Sequence, residues 1–61
     1  MIYKVHFPSG KTERYEIDRI YNYKSAEDAK YNSGNFNFCR AEVDDKWVYY
    51  YRWQVVTLEM E

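Results

Sequence analysis

Residues 35–58, NFNFCRAEVDDKWVYYYRWQVVTL, decide how this chain folds. Apolar and polar residues alternate from Asn35 to Val43, which is typical of a β-strand with one buried face. Asp44-Asp45 predicts a tight turn, and the run from Lys46 to Leu58 has the Tyr, Trp and Val content of a second strand. The stretch therefore predicts an antiparallel hairpin.

A two-residue turn at Asp44-Asp45 determines which side chains share a face of this hairpin. The small-residue face contains Cys39, Ala41, Val43, Val48 and Tyr50. The aromatic face contains Phe36, Phe38, Arg40, Glu42, Trp47, Tyr49, Tyr51 and Trp53, with Arg40 and Glu42 as a candidate ion pair. One short helix covers only one face of a sheet, so we expect the aromatic face to be open to a partner. The alternative is that the aromatic face forms the core and the small-residue face is exposed.

The run from Lys46 to Leu58 is too long for one ordinary strand. Its thirteen residues would extend about 43 Å, so we expect a bend or bulge near Gln54. The final part, Val55 to Met60, is then expected to form a sheet edge that can pair with another chain.

The beginning of the chain predicts another hairpin. Ile2 to Phe7 alternates, and Phe7 to Lys11 (FPSGK) suits a three-residue loop with Gly10 in the left-handed conformation. This register places Tyr3 opposite Tyr15. The face expected to be buried contains Tyr3, Val5, Phe7, Tyr15 and Ile17.

The middle of the chain predicts one short helix. Ser25 has the position of an N-cap, acidic residues follow it, and Gly34 provides a stop, which predicts a helix from about Ala26 to Ser33. Ala26, Ala29 and Tyr31 are the expected contacts with the sheet. The fold class is therefore α+β: a small four-stranded, mainly antiparallel sheet (β-β-α-β-β) with one short helix packed on one face.

Length and composition limit what the chain can be. Its 61 residues predict a single domain, 1–61, and two Trp, eight Tyr and three Phe provide dense aromatic packing. The lone Cys39 cannot form an internal disulfide, and with a single His it cannot complete a zinc site, so we expect no metal and no cofactor. A lone thiol and the lack of any apolar run near ~18 residues predict a cytoplasmic chain without a membrane span.

Catalytic constellations are weak in this sequence. Cys39 and His6 are the only nucleophile and base that suggest a dyad, and no loop or helix end is placed to supply an orienting group or an oxyanion site. Asp44-Asp45 is explained as turn chemistry, because neighbouring side chains on a strand point apart. We therefore expect no enzymatic activity and no catalytic residues.

The function hypothesis rests on the aromatic face. Interfaces are enriched in Trp, Tyr and Arg, so the sequence predicts a protein-binding module. A phage- or mobile-element-encoded inhibitor of a host enzyme is our specific hypothesis. Its predicted protein-binding residues are Phe36, Phe38, Arg40, Trp47, Tyr49, Tyr51 and Trp53.

Two alternatives use the same rings. One is a single-stranded nucleic-acid-binding protein in which Arg40, Lys46 and Arg52 contact phosphates. A formal net charge of −1 from nine basic and ten acidic residues argues against it. The other is a structural homodimer, formed through the sheet face or through the last strand.

Overall fold

The structure, a computed structural model covering residues 1–61, contains one six-stranded sheet and one helix. The elements are β1 (Ile2–His6), β2 (Thr12–Glu16), β3 (Tyr21–Tyr23), α1 (Ala26–Ser33), β4 (Cys39–Val43), β5 (Lys46–Tyr51) and β6 (Gln54–Met60). The strand order is β2-β1-β6-β5-β4-β3, with every pair antiparallel except the parallel pair β3–β4. The α+β class is consistent with the prediction, but the prediction of four strands is wrong.

The two additional strands have different causes. β3 is only three residues long, too short for an alternating pattern to be recognised, and it is held by its pairing with β4. β5 and β6 are separate strands because Arg52 (φ 44°) and Trp53 (φ 73°) form a tight turn, where the prediction was a bend or bulge near Gln54 within one strand. β6 consequently lies between β1 and β5, so the prediction that Val55 to Met60 forms a sheet edge is also wrong.

The first hairpin has the predicted register. Tyr3 is paired with Tyr15 across β1 and β2. In the connecting loop, the Phe7 N–H donates to the Lys11 carbonyl at 2.8 Å, and the Gly10 N–H donates to the Phe7 carbonyl at 2.9 Å. Gly10 has φ 91°, a conformation that glycine adopts without a steric penalty.

Helix α1 begins and ends where the sequence predicts. The Ser25 side chain accepts a hydrogen bond from the Asp28 N–H at 3.1 Å, and the helix ends at Ser33, directly before Gly34. Ala29 is fully buried against the sheet. Tyr31 is 80% exposed, so the expectation that it contacts the sheet is wrong.

The sheet separates two apolar cores. On the side of α1, Ala29 packs with residues of β4 and β5: Cys39, Ala41 and Tyr50. On the other side, Val5 and Ile17 from the first hairpin pack with Phe38 and Val56. This second core forms because β6 pairs with β5 through its first half and with β1 through its second half, which lets β1 and β2 curl over the sheet.

Candidate functional site

The C-terminal hairpin has the predicted alternation of faces. Arg40 is paired with Tyr49, and Glu42 is paired with Trp47, so these four side chains lie on the aromatic face. Cys39 is paired with Tyr50 on the opposite, small-residue face. Helix α1 covers the small-residue face, so the part of the alternative that leaves this face exposed is wrong.

The aromatic face is not open along its whole length. Phe38, which is 2% exposed, lies 5.1 Å from Tyr51 and 5.8 Å from Tyr15 of β2 (ring centroids). Tyr51 also contacts Phe7, at 5.8 Å. The curled first hairpin therefore covers this end of the face, and Phe38 and Tyr51 contribute to the core.

Two further residues of the predicted site lie elsewhere. Phe36 stacks on Tyr21 at 3.6 Å between ring centroids and packs against the core on the side of α1. Trp53 lies in the β5–β6 turn, where its indole nitrogen approaches Gly34. Trp53 is 54% exposed and belongs to a different surface from Trp47.

Four residues lie together at the other end of the aromatic face, and we call them the Arg–Trp patch: Arg40, Glu42, Trp47 and Tyr49. Tyr49 is half-buried and also packs against the core on this side of the sheet. Trp47 is 48% exposed, and Glu42 is exposed. The Arg40 guanidinium carbon lies 3.9 Å from the centroid of the Trp47 ring and 6.0 Å from that of Tyr49. Stacking on the indole holds the cation in place through the negative face of the ring.

Arg40 has no partner for its charge within the chain. Its Nε atom is buried without a hydrogen-bond partner. The ion pairs of the chain join other groups: Met1 with Glu16, His6 with Glu59, Lys11 with Glu13, and Arg14 with Glu61. The predicted ion pair between Arg40 and Glu42 does not form. The guanidinium therefore lies on the indole without a hydrogen bond or an ion pair to the rest of the protein.

The three basic residues considered for phosphate contact do not converge. Lys46 is paired with Val43 and lies on the opposite face from Arg40. Arg52 lies in the β5–β6 turn, with its guanidinium carbon 5.4 Å from the Tyr51 ring centroid. These positions leave Arg40 as the one cation on the Arg–Trp patch.

His6 and Cys39 are not brought together. The His6 ring nitrogens lie 3.0 Å from Thr12 Oγ1 and 3.2 Å from Glu59 Oε2, on the outer side of the first hairpin. Cys39 is buried beneath α1, and this burial raises the pKa of its thiol, which lowers its reactivity.

A cleft that sequence reasoning missed lies between the first hairpin and the β5–β6 turn. Its volume is about 440 Å³, and its walls are formed by Phe7, Pro8, Ser9, Lys11, Glu13, Tyr15, Tyr51 and Gln54. The Tyr15 hydroxyl donates to the Glu13 carboxylate at 2.7 Å, and Lys11 Nζ lies 2.8 Å from the same carboxylate. The hydrogen bond to Glu13 raises the pKa of Tyr15, whereas the hydrogen bond from Lys11 lowers the pKa of Glu13. Tyr15, Glu13 and Lys11 therefore serve as one another's hydrogen-bond partners.

Comparison of the chain with protein-family models, with curated proteins and with solved structures finds no match. Helix α1 has neither the length nor the apolarity that crossing a bilayer requires. The geometry of the chain's own residues is therefore the basis for any functional proposal.

Proposed function

We propose that this chain is a non-enzymatic protein-binding module that docks another protein molecule through the Arg–Trp patch. The observation that supports the proposal is the Arg40 guanidinium, stacked 3.9 Å from the half-exposed Trp47 ring and without a hydrogen bond or ion pair in the chain. Trp and Arg are the residues most enriched among those that dominate the free energy of protein association. An inhibitor or adaptor acts in this way, by occupying a surface.

A protein partner agrees better with the charges than a nucleic acid does. Arg40 is accompanied on the patch by Glu42, and the adjoining β4–β5 turn is formed by Asp44 and Asp45. Several neighbouring cations are normally needed to neutralise phosphates, and Lys46 lies on the other face. A surface with one cation and one anion beside two rings suits the mixed polar and apolar surface of a protein.

Affinity capture with a matched pair of tryptophan variants tests this proposal. Trp47→Ala removes the ring beneath Arg40, whereas Trp53→Ala removes a ring of similar exposure outside the patch. We expect a partner of the native chain to be lost with Trp47→Ala and retained with Trp53→Ala, with circular dichroism confirming that both variants fold. Equal retention by both variants would contradict the proposal.

A titration with single-stranded oligonucleotides distinguishes the nucleic-acid alternative from the protein-binding proposal. We expect no change in Trp47 fluorescence, measured in the Trp53→Ala background so that one indole reports. A salt-dependent quench would replace the protein-binding proposal with nucleic-acid binding, because counterion release makes phosphate contacts sensitive to salt.

A further inference from the structure

We infer that the cleft between the first hairpin and the β5–β6 turn binds a proline-rich segment of another protein, held in the extended polyproline II conformation. The cleft has a volume of about 440 Å³, which is within the usual range for binding sites. It is a different surface from the Arg–Trp patch, so binding there does not depend on the proposed function. Aromatic walls, balanced charges and an open rim together support this assignment.

Aromatic rings form the apolar part of the cleft. The Tyr51 ring lies 5.8 Å from the Phe7 ring at an interplanar angle of 71°, and 5.6 Å from the Tyr15 ring at 45° (ring centroids). Rings that meet at such angles form ridges and grooves, not one flat platform. A flat platform suits the stacking of a nucleobase. Proline-rich segments instead bind in grooves lined by aromatic side chains.

The charged groups of the cleft already neutralise each other. Lys11 Nζ lies 2.8 Å from the Glu13 carboxylate, which also accepts a hydrogen bond from the Tyr15 hydroxyl at 2.7 Å. That hydrogen bond raises the pKa of Tyr15, so the phenol stays neutral at physiological pH. A charged ligand would have to displace one member of the ion pair. The charges therefore favour an uncharged segment as the ligand.

The cleft is open to solvent, which favours an extended chain over a small molecule. None of its lining residues is buried: Phe7, Glu13, Tyr15 and Tyr51 are half-buried, and the others are exposed. Small-molecule sites normally enclose most of the surface of the ligand. An extended segment, in contrast, can cross an open cleft and continue beyond both ends.

Polyproline II is the extended conformation that best suits so small a contact. Such a segment is largely ordered before binding, so it loses less conformational entropy than a flexible one. Its carbonyl groups make no internal hydrogen bonds and are free to accept them. Donors lie on the exposed rim of the cleft, in the side-chain amide of Gln54 and the hydroxyl of Ser9. We expect a Kd between about 10 µM and about 1 mM.

Titration with a capped octaproline peptide tests the inference. We expect octaproline, added up to about 5 mM, to shift the signals of the Gln54 side-chain amide and the Ser9 and Gly10 backbone amides in a proton–nitrogen correlation spectrum. The indole signal of Trp47, which belongs to the Arg–Trp patch, is expected to stay constant. A capped glycine–serine octapeptide is flexible and has no apolar rings, so we expect it to cause no shift.

Two neighbouring residues of β6 provide matched variants. Gln54 lines the cleft, whereas Val55 is 52% exposed on the opposite face of the strand. Gln54→Ala removes hydrogen-bond donors at an exposed position, and we expect it to weaken octaproline binding about threefold to tenfold. Val55→Ala is expected to bind like the native chain. Tyr51→Ala is a poorer test, because Tyr51 also contacts Phe38 in the core.

Four results would overturn the assignment. They are no shift with octaproline, equal shifts with both peptides, equal affinity of the Gln54→Ala and Val55→Ala variants, and cleft signals that shift with phenol but not with octaproline. The last result would identify a small-molecule site.

Trp47→Ala distinguishes this site from the proposed function. We expect the variant to bind octaproline like the native chain, even where it loses a captured protein. Loss of octaproline binding in Trp47→Ala would place the peptide on the Arg–Trp patch and overturn its assignment to the cleft.

Discussion

Phe38 and Trp47 lie on the same face of one hairpin, but they occupy opposite environments. Phe38 is 2% exposed between Tyr15 and Tyr51, whereas Trp47 is 48% exposed beneath Arg40. The difference arises because β1 and β2 curl over one end of the face only. Aromatic content alone therefore does not identify a binding residue, and the distance from the covering hairpin decides the role of each ring.

Replacement of Phe38 is expected to test its structural role directly. Phe38→Ala removes a buried ring with two aromatic contacts, and we expect the free energy of unfolding to fall by about 3–5 kcal/mol. A chain of this length has only a few kcal/mol of stability, so the variant is expected to be largely unfolded. Urea denaturation followed by circular dichroism measures the change.

Tyr31→Ala provides the matched control, since it also deletes an aromatic ring. Tyr31 is 80% exposed on α1, so we expect a change within about 0.5 kcal/mol. If both variants lose similar stability, Phe38 is not part of the core that the structure describes.

At the scale of elements, the sequence predicted what depends on local signals. The registers of the β1–β2 and β4–β5 hairpins and the bounds of α1 follow from Gly10, the Asp44-Asp45 pair and Ser25, and the structure confirms them. Each of these residues affects only its near neighbours in the sequence, through the conformation of a turn or through a helix cap. They could be identified without knowledge of the rest of the fold.

The missed elements depend on residues that carry no such signal. Arg52 and Trp53 form a turn with positive φ angles although neither is Gly, Asn or Asp, so the sequence did not predict the β5–β6 hairpin. β3 is three residues long and is held by parallel pairing with β4, from a separate part of the chain.

The candidate site was predicted only in part for the same reason. Register placed Arg40, Trp47 and Tyr49 on one face, as the structure has them. The covering of Phe38 by the first hairpin depends on contacts between distant parts of the chain, which alternation does not encode. The stacking of Arg40 on Trp47 is likewise a choice of side-chain conformation that the sequence leaves open.

The β4–β5 turn allows a test of how much turn conformation contributes. Asp44 has φ 51° and Asp45 has φ 61°, the left-handed pair of a type I′ turn, in which glycine is preferred at the second position. We expect Asp45→Gly to raise the free energy of unfolding by about 0.5–1 kcal/mol.

Asp45→Ala is the control, because it removes the same carboxylate without giving the backbone the freedom of glycine. We expect this variant to lose stability, since alanine is disfavoured at positive φ. Thermal denaturation of both variants compares them, and an equal effect would show that charge, and not backbone conformation, determines the contribution of Asp45.

At the scale of the whole molecule, β6 is the strand that connects two parts of the sheet: β1 and β2 on one side, and β3, β4 and β5 on the other. Its first half pairs with β5 and its second half with β1, so the first hairpin reaches the rest of the sheet through this strand. The core above it is shared: Val5 and Ile17 come from the first hairpin, and Phe38 and Val56 come from the other part. Neither part can bury this shared core alone, which favours unfolding in one step.

Native-state hydrogen exchange is expected to detect this coupling. Val5 on β1 and Ala41 on β4 both lie on strands paired on each side, and we expect their amides to exchange with the same free energy of opening. Val56→Ala, at the shared core, is expected to lower both values by about 2 kcal/mol. A Val5 amide that exchanges at a much lower free energy than Ala41, or a variant that affects only one of them, would mean that the first hairpin opens separately. The cover over Phe38 would then be temporary, and the surface available to a partner would extend from the Arg–Trp patch to Phe38 and Tyr51.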